Sequence, residues 1–464
     1  MITTVAEEYR LEVVGAGDEA SGNFKGACDS ANEQLTIRNL LENTGRGWKI
    51  KTGQNGVERV VESIDGVGTK VQIYTNVFNE LVKQKESGEI SDQELFDTSV
   101  ELWERMLHDL IAMNVDDLRD GEMAIAVTNI IDINHLKGIR GKVFADSMAK
   151  AMGNVITELD IAMTAGETAI LGEPKKVSQL LGLIDDIGAS LTQVLDLDIS
   201  EVAKNKIRAI LDKAYSKTSI IHSDLEFNIG GTGLGVVGTA EKLVELKPGQ
   251  RIIALQEKPT KDGIIGPRSN GITAIRKYMT SLAGEGWENL TFEEFCDKIG
   301  VEEAYKIPER LTAELSGLKM WDIATGKTTV FNPLVSRSLL GGLGNNPIAD
   351  ISSIIHVTGN PGRKIKDGLR GNDDLGINID LTGVKIPQII ELIQILCNVS
   401  DEDAIGSWNM GIPYVVICEN DGAEEIIRKA FEEGYIAKDI GEIILSTGGS
   451  YISNFGFGGS SLKI

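Results

Sequence analysis

The sequence predicts an α/β (α+β) protein of two domains, and three observations carry that expectation. Short β-prone apolar runs alternate with longer stretches of helical periodicity, and several runs end in glycines and carboxylates. The third is length: 464 residues leave room for more than one core. The turn Lys247-Pro248-Gly249-Gln250, followed by strand-like Arg251-Ile252-Ile253-Ala254-Leu255, sets the boundary. Residues 1–244 then form an N-terminal domain and residues 245–464 a C-terminal domain of sheet and helices.

Composition supports a folded chain: 42% of residues are hydrophobic and 25% charged. A formal charge of −23 argues against a nucleic-acid or anionic-membrane surface, and leaves small phosphorylated ligands held by local basic groups. Cys28, Cys296, Cys397 and Cys418 show no C-x-x-C spacing, and His108, His135, His222 and His356 form no ligand pair. The expectation is a reducing compartment and no structural zinc. Met1 to Glu8 lack a basic start and an apolar core, and no run reaches the length of a membrane span. A cytoplasmic location is expected.

Taken in order, Tyr9 to Trp48 reads as an arm or lid with one helix carrying Leu35, Ile37, Leu40 and Leu41. The organising stretch follows. Val60-Val61-Glu62-Ser63-Ile64 is β-prone and runs into Asp65-Gly66-Val67-Gly68-Thr69-Lys70. Gly66 and Gly68 allow backbone N–H groups close to phosphate oxygens, Lys70 can neutralise a transferring phosphoryl group, and Asp65 offers magnesium a hard oxygen. This is the candidate ATP site, although the spacing is not that of a Walker A loop; read alone, the same residues also suit a plain strand-to-turn corner.

Ser91-Asp92-Gln93-Glu94 is a capping box opening a helix whose Phe96, Val100, Trp103, Leu107 and Leu110 form one buried stripe. His108 beside it reads as structural. The helix runs to Asp116-Asp117. Met123 to Ile133 is strand-like, Val143 to Leu159 helical, and Ile161-Ala162-Met163-Thr164 a strand expected to end at Gly166-Glu167-Thr168. Asp65, Asp116, Asp117 and Glu167, each placed at an element end, form a candidate magnesium–phosphate constellation. Lys175 to Ser219 reads as an inserted helical pair, for packing, a lid or an oligomer contact. In the strand Phe227 to Gly238 the repeated glycines imply close approach of another backbone or of a ligand. In the second domain, Ser269-Asn270-Gly271 opens a helix, Ile354 to Gly359 and Ser407 to Pro413 lie at strand edges, and Ala423 to Glu433 is amphipathic. Ile443-Ile444-Leu445 is the last expected strand, before a mobile Gly/Ser-rich tail from Ser446.

The order of these motifs resembles the phosphoribosylformylglycinamidine cyclo-ligase (aminoimidazole ribonucleotide, AIR, synthetase) family over about Glu58 to Ile444. Asp65 to Lys70 stands as the family writes it. Asp109 to Leu118 looks like its D-L-V-A-M-x-V-N-D-L, with Asp116 where Asn is usual. Gly166-Glu167-Thr168, Ser269-Asn270-Gly271, His356-Val357-Thr358-Gly359 and Asn409-Met410-Gly411 match its G-E-T, S-N-G, H-I-T-G and N-M-G. The resemblance implies a two-domain AIR synthetase-like fold whose N-terminal sheets pair in a homodimer, with ATP bound near that interface. It implies ATP-dependent ring closure of a phosphorylated ribonucleotide in purine synthesis: ATP phosphorylates the formyl-amide oxygen, and the amidine nitrogen then displaces phosphate. Carried over residue by residue, it gives Lys70, Asp65 and His356 catalytic roles. Asp65, Gly66, Gly68, Thr69, Lys70, Asp117, Gly166, Glu167 and Thr168 would bind ATP, and Asp65, Asp116, Asp117 and Glu167 Mg²⁺. Ser269, Asn270, Gly271 and Asn409 would bind substrate.

Departures mark a divergent member. Arg268 stands where the family has His before S-N-G, and a guanidinium cannot shuttle protons. Asn360-Pro361-Gly362 replaces a glycine run, and Asn228 an aspartate. Two other readings stay open. One is a different ATP-dependent phosphoryl-transfer enzyme of the selenophosphate synthetase, hydrogenase-maturation or thiamine-phosphate kinase type. The other is a non-catalytic nucleotide-binding assembly protein.

Overall fold

The computed structural model describes residues 23–43, 48–51, 59–118, 122–134, 136, 138–170, 204, 224–237, 243–269, 271–446, 449–455 and 459–463. The expected insertion lies outside the described residues apart from residue 204, and so does Asn270. Two sheets with helices between and around them confirm the mixed α/β class.

The chain enters through helix α1, residues 23–32, a 3₁₀ turn at Thr36–Leu40, and a two-stranded ribbon of β1 (Leu41–Asn43) and β2 (Trp48–Ile50). This corrects the expected arm: Phe24, Cys28, Ala31, Leu35, Ile37, Leu40 and Leu41 are all buried. The apolar residues from Leu35 to Leu41 are spent on a tight turn and a strand, so no helix forms there. Asn32 fastens the segment, donating to Met163 O (2.7 Å) and accepting from Met163 N (3.0 Å).

There follow β3 (Arg59–Gly66), α2 (Lys70–Ser87), α3 (Asp92–Val115), β4 (Met123–Ile133), α4 (Gly138–Leu159), β5 (Ala162–Ile170) and β6 (Phe227–Val237). The sheet order is β3-β6-β4-β5, antiparallel except for the β4–β5 pair. The capping box forms as expected: Glu94 N donates to Ser91 Oγ (3.1 Å) and Ser91 N to Glu94 Oε2 (2.8 Å). Beyond it α3 is more than amphipathic. From Leu102 to Val115 only Glu104 is not buried, because sheet, α2, α4 and the second half of the chain enclose it. Phe96 and Val100 are only half-buried, so the stripe proper begins at Trp103, whose ring packs against Phe78, Phe144 and Phe227.

The glycines of β6 admit α3. A Cβ on Gly233 would stand 2.9 Å from Asn114 O, and one on Gly231 3.4 Å from Leu110 Cδ1. Of the two partners the glycines allowed, the structure supplies a chain segment. The opposite face of this sheet carries Val60, Ile64 and Ile130, exposed at 40%, 83% and 44%. Gly166, Glu167 and Thr168 correct another expectation, since they lie inside β5, paired with Asn129, Ile130 and Ile131 of β4, and do not end a strand.

The second sheet has seven strands in the order β13-β12-β9-β11-β7-β10-β8. Their ranges are β7 (Arg251–Gln256), β8 (Ile351–His356), β9 (Leu375–Asp380), β10 (Tyr414–Cys418), β11 (Ile436–Leu445), β12 (Tyr451–Phe455) and β13 (Ser460–Lys463). The tail after Ser446 therefore adds two strands, β12 running parallel to β9, because Ile452 and Phe455 bury against the sheet. Helix α5 (Ile272–Ala283) follows the S-N-G residues. One apolar core runs through both halves of the chain, and a smaller one fills the other face of the seven-stranded sheet. Among the described residues no helix is long and apolar enough to cross a membrane.

Candidate functional site

Four of the sequence motifs meet at the seam between the two sheets. The turn after β3 abuts the start of α5: Thr69 Oγ1 lies 2.9 Å from Thr273 Oγ1, and Arg276 donates to Thr69 O (3.4 Å). Thus the N-termini of α2 and α5 converge. Neither has a side-chain cap or an acid in its first turn; Val71 N and Gln72 N turn back to Gly68 O (3.3 Å) and Thr69 O (3.2 Å), and Ala274 N to Gly271 O (3.1 Å), so what the two starts offer an anion is chiefly their positive dipole ends. Gly68 takes φ +65 with nothing within 4 Å of where a Cβ would sit, a backbone open to close approach. Asn114, on the last turn of α3, fixes this turn by accepting from Asp65 N (2.9 Å).

The S-N-G, H-V-T-G and N-M-G residues are held together by Ser407 and Trp408. Trp408 Nε1 donates to Gly271 O (3.3 Å) and its ring leaves no room for a side chain at Gly271. A Cβ on Gly359 would lie 3.1 Å from Ser407 O. Met410, φ +50, and Gly411, φ +85, turn the chain back toward β10, and Asn409 Oδ1 accepts from Gly411 N (3.1 Å). Asn409 is thereby occupied in shaping its own turn. Ser269 Oγ is buried without a hydrogen-bond partner, an acceptor and donor in want of a ligand.

The acidic residues stand in different surroundings. Asp116 is buried, accepting from Arg268 Nη2 (2.7 Å), Phe331 N (2.9 Å) and Asn332 N (2.8 Å). Arg268 also donates to Glu257 Oε1 (3.1 Å), whose carboxyl burial pushes up. Asp117 lies 2.7 Å from His356 Nδ1. Asp65 accepts from Gly66 N (2.7 Å) on β3. Glu167 is on the far edge strand: the rungs Asp65–Gly231–Asn129–Gly166 and Gly66–Gly230–Ile130–Glu167 place three interstrand steps between the two carboxylates. At roughly 4.8 Å a step this is about 14 Å between backbones. Magnesium draws its oxygens to within about 2.1 Å, so these four side chains do not fit one ion in a single chain. Among the described residues no group of three or more His, Cys, Asp or Glu is arranged for a metal.

Lys70 is fully buried. Its Nζ pairs with Asp109 Oδ1 (2.9 Å) and donates to Pro267 O (2.9 Å), and burial lowers its pKa. Tyr74 OH donates to Asp109 Oδ2 (2.6 Å), and Thr328 donates to Oδ1. The segments bearing Pro267 and Thr328 cross at glycines: a Cβ on Gly266 would clash with Gly326 O at 2.2 Å. Sequence reasoning missed Asn114, Thr273 and Arg276. An asparagine one turn after Leu110 on a buried stripe, and a hydroxyl and a guanidinium just after a helix start, were the available signals.

No family profile matches the chain. It is similar to the phosphoribosylformylglycinamidine cyclo-ligase of Methanococcus maripaludis, 26% identical over 315 residues, or 66% of this chain and 76% of the relative. The enzyme of that name from Methanocaldococcus jannaschii is 23% identical over 311 residues, with coverage of 66% and 76%. Among solved structures, the E. coli hydrogenase maturation protein HypE aligns with TM-score 0.46 and 12% identity over 96% of both chains. Thiamine-monophosphate kinase from Stenotrophomonas maltophilia aligns with TM-score 0.46 and 11% identity over 92% of this chain and 94% of that one. The chain is thus similar to these cyclo-ligases in sequence at 23% and 26% identity, and it folds as a mixed α/β protein of two sheets.

Proposed function

We propose that this protein is an ATP-dependent cyclo-ligase that closes formylglycinamidine ribonucleotide to aminoimidazole ribonucleotide, releasing ADP and phosphate. The observation that carries the reading is the convergence of α2 and α5 at the Thr69–Thr273 contact, with the S-N-G, H-V-T-G and N-M-G residues on the same seam. The cyclo-ligase names of the curated relatives support it.

On this reading Gly66, Gly68 and Thr69, with the N-terminus of α2, take the polyphosphate of ATP. Ser269, Gly271, Arg276 and the N-terminus of α5 take the ribonucleotide phosphate, and His356 faces the reacting amidine. Such a site works by orientation and by placing fixed N–H dipoles where charge develops, and requires no nucleophilic side chain. Lys70 is assigned a supporting role: its pair with Asp109 anchors the start of α2 and so the phosphate turn. No step is routed through magnesium, since Asp65 and Glu167 of one chain stand too far apart to share an ion. The open face of the four-stranded sheet is assigned to pairing with a second copy.

The test is to follow ADP and aminoimidazole ribonucleotide in one sample, with and without formylglycinamidine ribonucleotide. Matched, substrate-dependent appearance of both is expected. ADP release without the imidazole product would shift the assignment to another acceptor, and binding without turnover to a non-catalytic role.

A further inference from the structure

The motif that Asp109 to Leu118 resembles leaves position 114 open to any residue, and this chain places a fully buried asparagine there. Its side-chain amide is completely used. Oδ1 accepts from Asp65 N (2.9 Å), while Nδ2 donates to Asp65 O (3.3 Å) and to Leu110 O (2.7 Å). The flipped amide would set N–H against N–H and oxygen against two carbonyls, so its orientation is fixed. The bond to Leu110 O, one turn back on α3, holds the group in place. The main chain of Asn114 adds a second hold on β3, its carbonyl accepting from Ser63 Oγ two residues before Asp65. Beyond Asp65 the turn has few ties of its own. Gly66 N is taken by the Asp65 carboxylate (2.7 Å), Val67 N reaches Ile229 O at 3.4 Å, and the amides of Gly68 and Thr69 meet no acceptor among the described residues.

We propose that Asn114 is a positioning residue for the ATP half of the site: by gripping both backbone polar atoms of Asp65, it sets the direction in which the open amides of Gly68 and Thr69 meet the polyphosphate. The proposal rests on the ATP-binding part of the cyclo-ligase reading. Asn114 has no exposed surface, so it acts through Asp65 and never touches the nucleotide. A turn fixed beforehand loses little freedom on binding, whereas a loose one must be ordered by the ligand and binds it more weakly. The ribonucleotide half is carried differently. Its S-N-G loop follows Pro267, whose carbonyl Lys70 holds, and Arg268, held by Asp116 and Glu257. The effect of the Asn114 amide therefore falls on ATP and not on the ribonucleotide.

The experiment measures KM for Mg²⁺–ATP and for formylglycinamidine ribonucleotide on the full chain and on Asn114→Ala. Ser63→Ala is the comparison, because it removes the neighbouring bond to the Asn114 carbonyl and spares the amide. In Asn114→Ala, KM for ATP should rise about tenfold, KM for the ribonucleotide should stay within about threefold, and the Asp65 amide should exchange faster. Ser63→Ala should change neither KM by more than about threefold. A merely structural loss would lower the folded fraction, and with it kcat, and move neither KM. Two KM values that stay unchanged or rise together in a folded Asn114→Ala would overturn the proposal, as would an equal rise for ATP in Ser63→Ala. If Asn114→Ala does not fold, the wild type decides: its Asp65 amide should be protected before ATP is added, and free exchange there would overturn the proposal. Absence of substrate-dependent ADP release from the wild type would instead remove the cyclo-ligase reading, and ATP dissociation constants would then judge Asn114 in place of KM; a wild type that binds no ATP would remove both.

Discussion

Asp116 and Arg268 are the two motif departures that add charge, and they touch each other. One adds a carboxylate where an amide is usual, the other a fixed cation where an imidazole is usual, and the 2.7 Å contact joins them inside the protein. Removing one member of a buried ion pair strands the other and costs about 3–5 kcal/mol. Arg268→His should therefore destabilise by that order, leaving Asp116 and Glu257 facing each other uncompensated, and Asp116→Asn in the same chain should restore part of the loss. A urea-unfolding double-mutant cycle measures the coupling, and additive losses would show that the two substitutions are independent. The charges were legible in the sequence; their pairing was not, because the partners are 152 positions apart. The same holds for Lys70, assigned from its motif to a phosphoryl group and found against Asp109. A second network, around the buried His108, reports on pH. Burial pushes the His108 imidazole below its ordinary 6.5, while His108 and Lys327 hold the Glu158 carboxyl down at about 2. Both folded values lie below the unfolded ones, so both contributions are present at neutral pH and are lost on acidification. The His108 part begins to go below about pH 6.5, and the Glu158 part fades from about 4.5 toward 2. The melting temperature should be flat from pH 8 to 7 and fall below that, and His108→Gln should flatten the upper part of the fall; an unchanged profile would show that His108 is not its source.

At the level of elements, the contact of α3 with β6 ties the core to the site. Helix α3 supplies Asn114, Asp116 and Asp117 from its last turn and the residues that follow, and β6 lies this close to it because Gly233 lacks a side chain, while a Cβ on Gly231 would meet Thr128 O of β4 at 2.5 Å. Gly233→Ala should press on Asn114 O, where the added Cβ falls 2.9 Å away, and destabilise by about 1–3 kcal/mol. It should also loosen Asn114 from Asp65 N, so amide exchange at Asp65 should quicken. Gly153→Ala is the contrast. It sits in α4 with nothing within 4 Å of the new methyl group and a right-handed backbone, so it should stabilise by roughly 0.5–1 kcal/mol. Chemical denaturation reads both, and equal signs would refute the steric account. Local signals served well where the chain satisfied itself nearby: the capping box fixed the start of α3, and Met123 to Ile133 is one strand as its apolar run implied. They failed where tertiary partners decided. Leu35 to Leu41 has helical spacing, yet it turns to bury Ile37 and Leu40 and to pair β1 with β2. Gly166 and Glu167 look like a strand end by residue type, yet pairing with β4 carries β5 through them.

For the whole molecule, the four-stranded sheet poses a problem that one chain does not solve. One face is covered by α2, α3 and α4, and on the other the rung Ile64–Thr232–Thr128–Ala165 and its neighbours carry Ile64 at 83% exposure with Val60 and Ile130 also open. A β-branched apolar side chain so exposed on a pleated face gains most from a second apolar face. The two ends of the candidate ATP site point the same way, since Asp65 and Glu167 lie on opposite edges of this sheet and can act together only if a second sheet brings the edge of one chain near the other. In a two-fold pairing every contact occurs twice, so a charge at position 64 acts twice. Burying one isoleucine is worth about 1.5–3 kcal/mol, and Ile64→Glu should therefore weaken the pair by about 3–6 kcal/mol, or roughly 10²- to 10⁴-fold in Kd. Sedimentation should show the wild type near twice the 50.1 kDa chain mass at micromolar concentration, and Ile64→Glu at one chain mass with an unchanged circular dichroism spectrum. The net charge of −23 on each chain opposes association, so added salt should tighten the wild-type pair and help the variant little. A wild type that sediments as a single chain across that range would leave the face to another partner, and would separate the fate of Glu167 from that of Asp65.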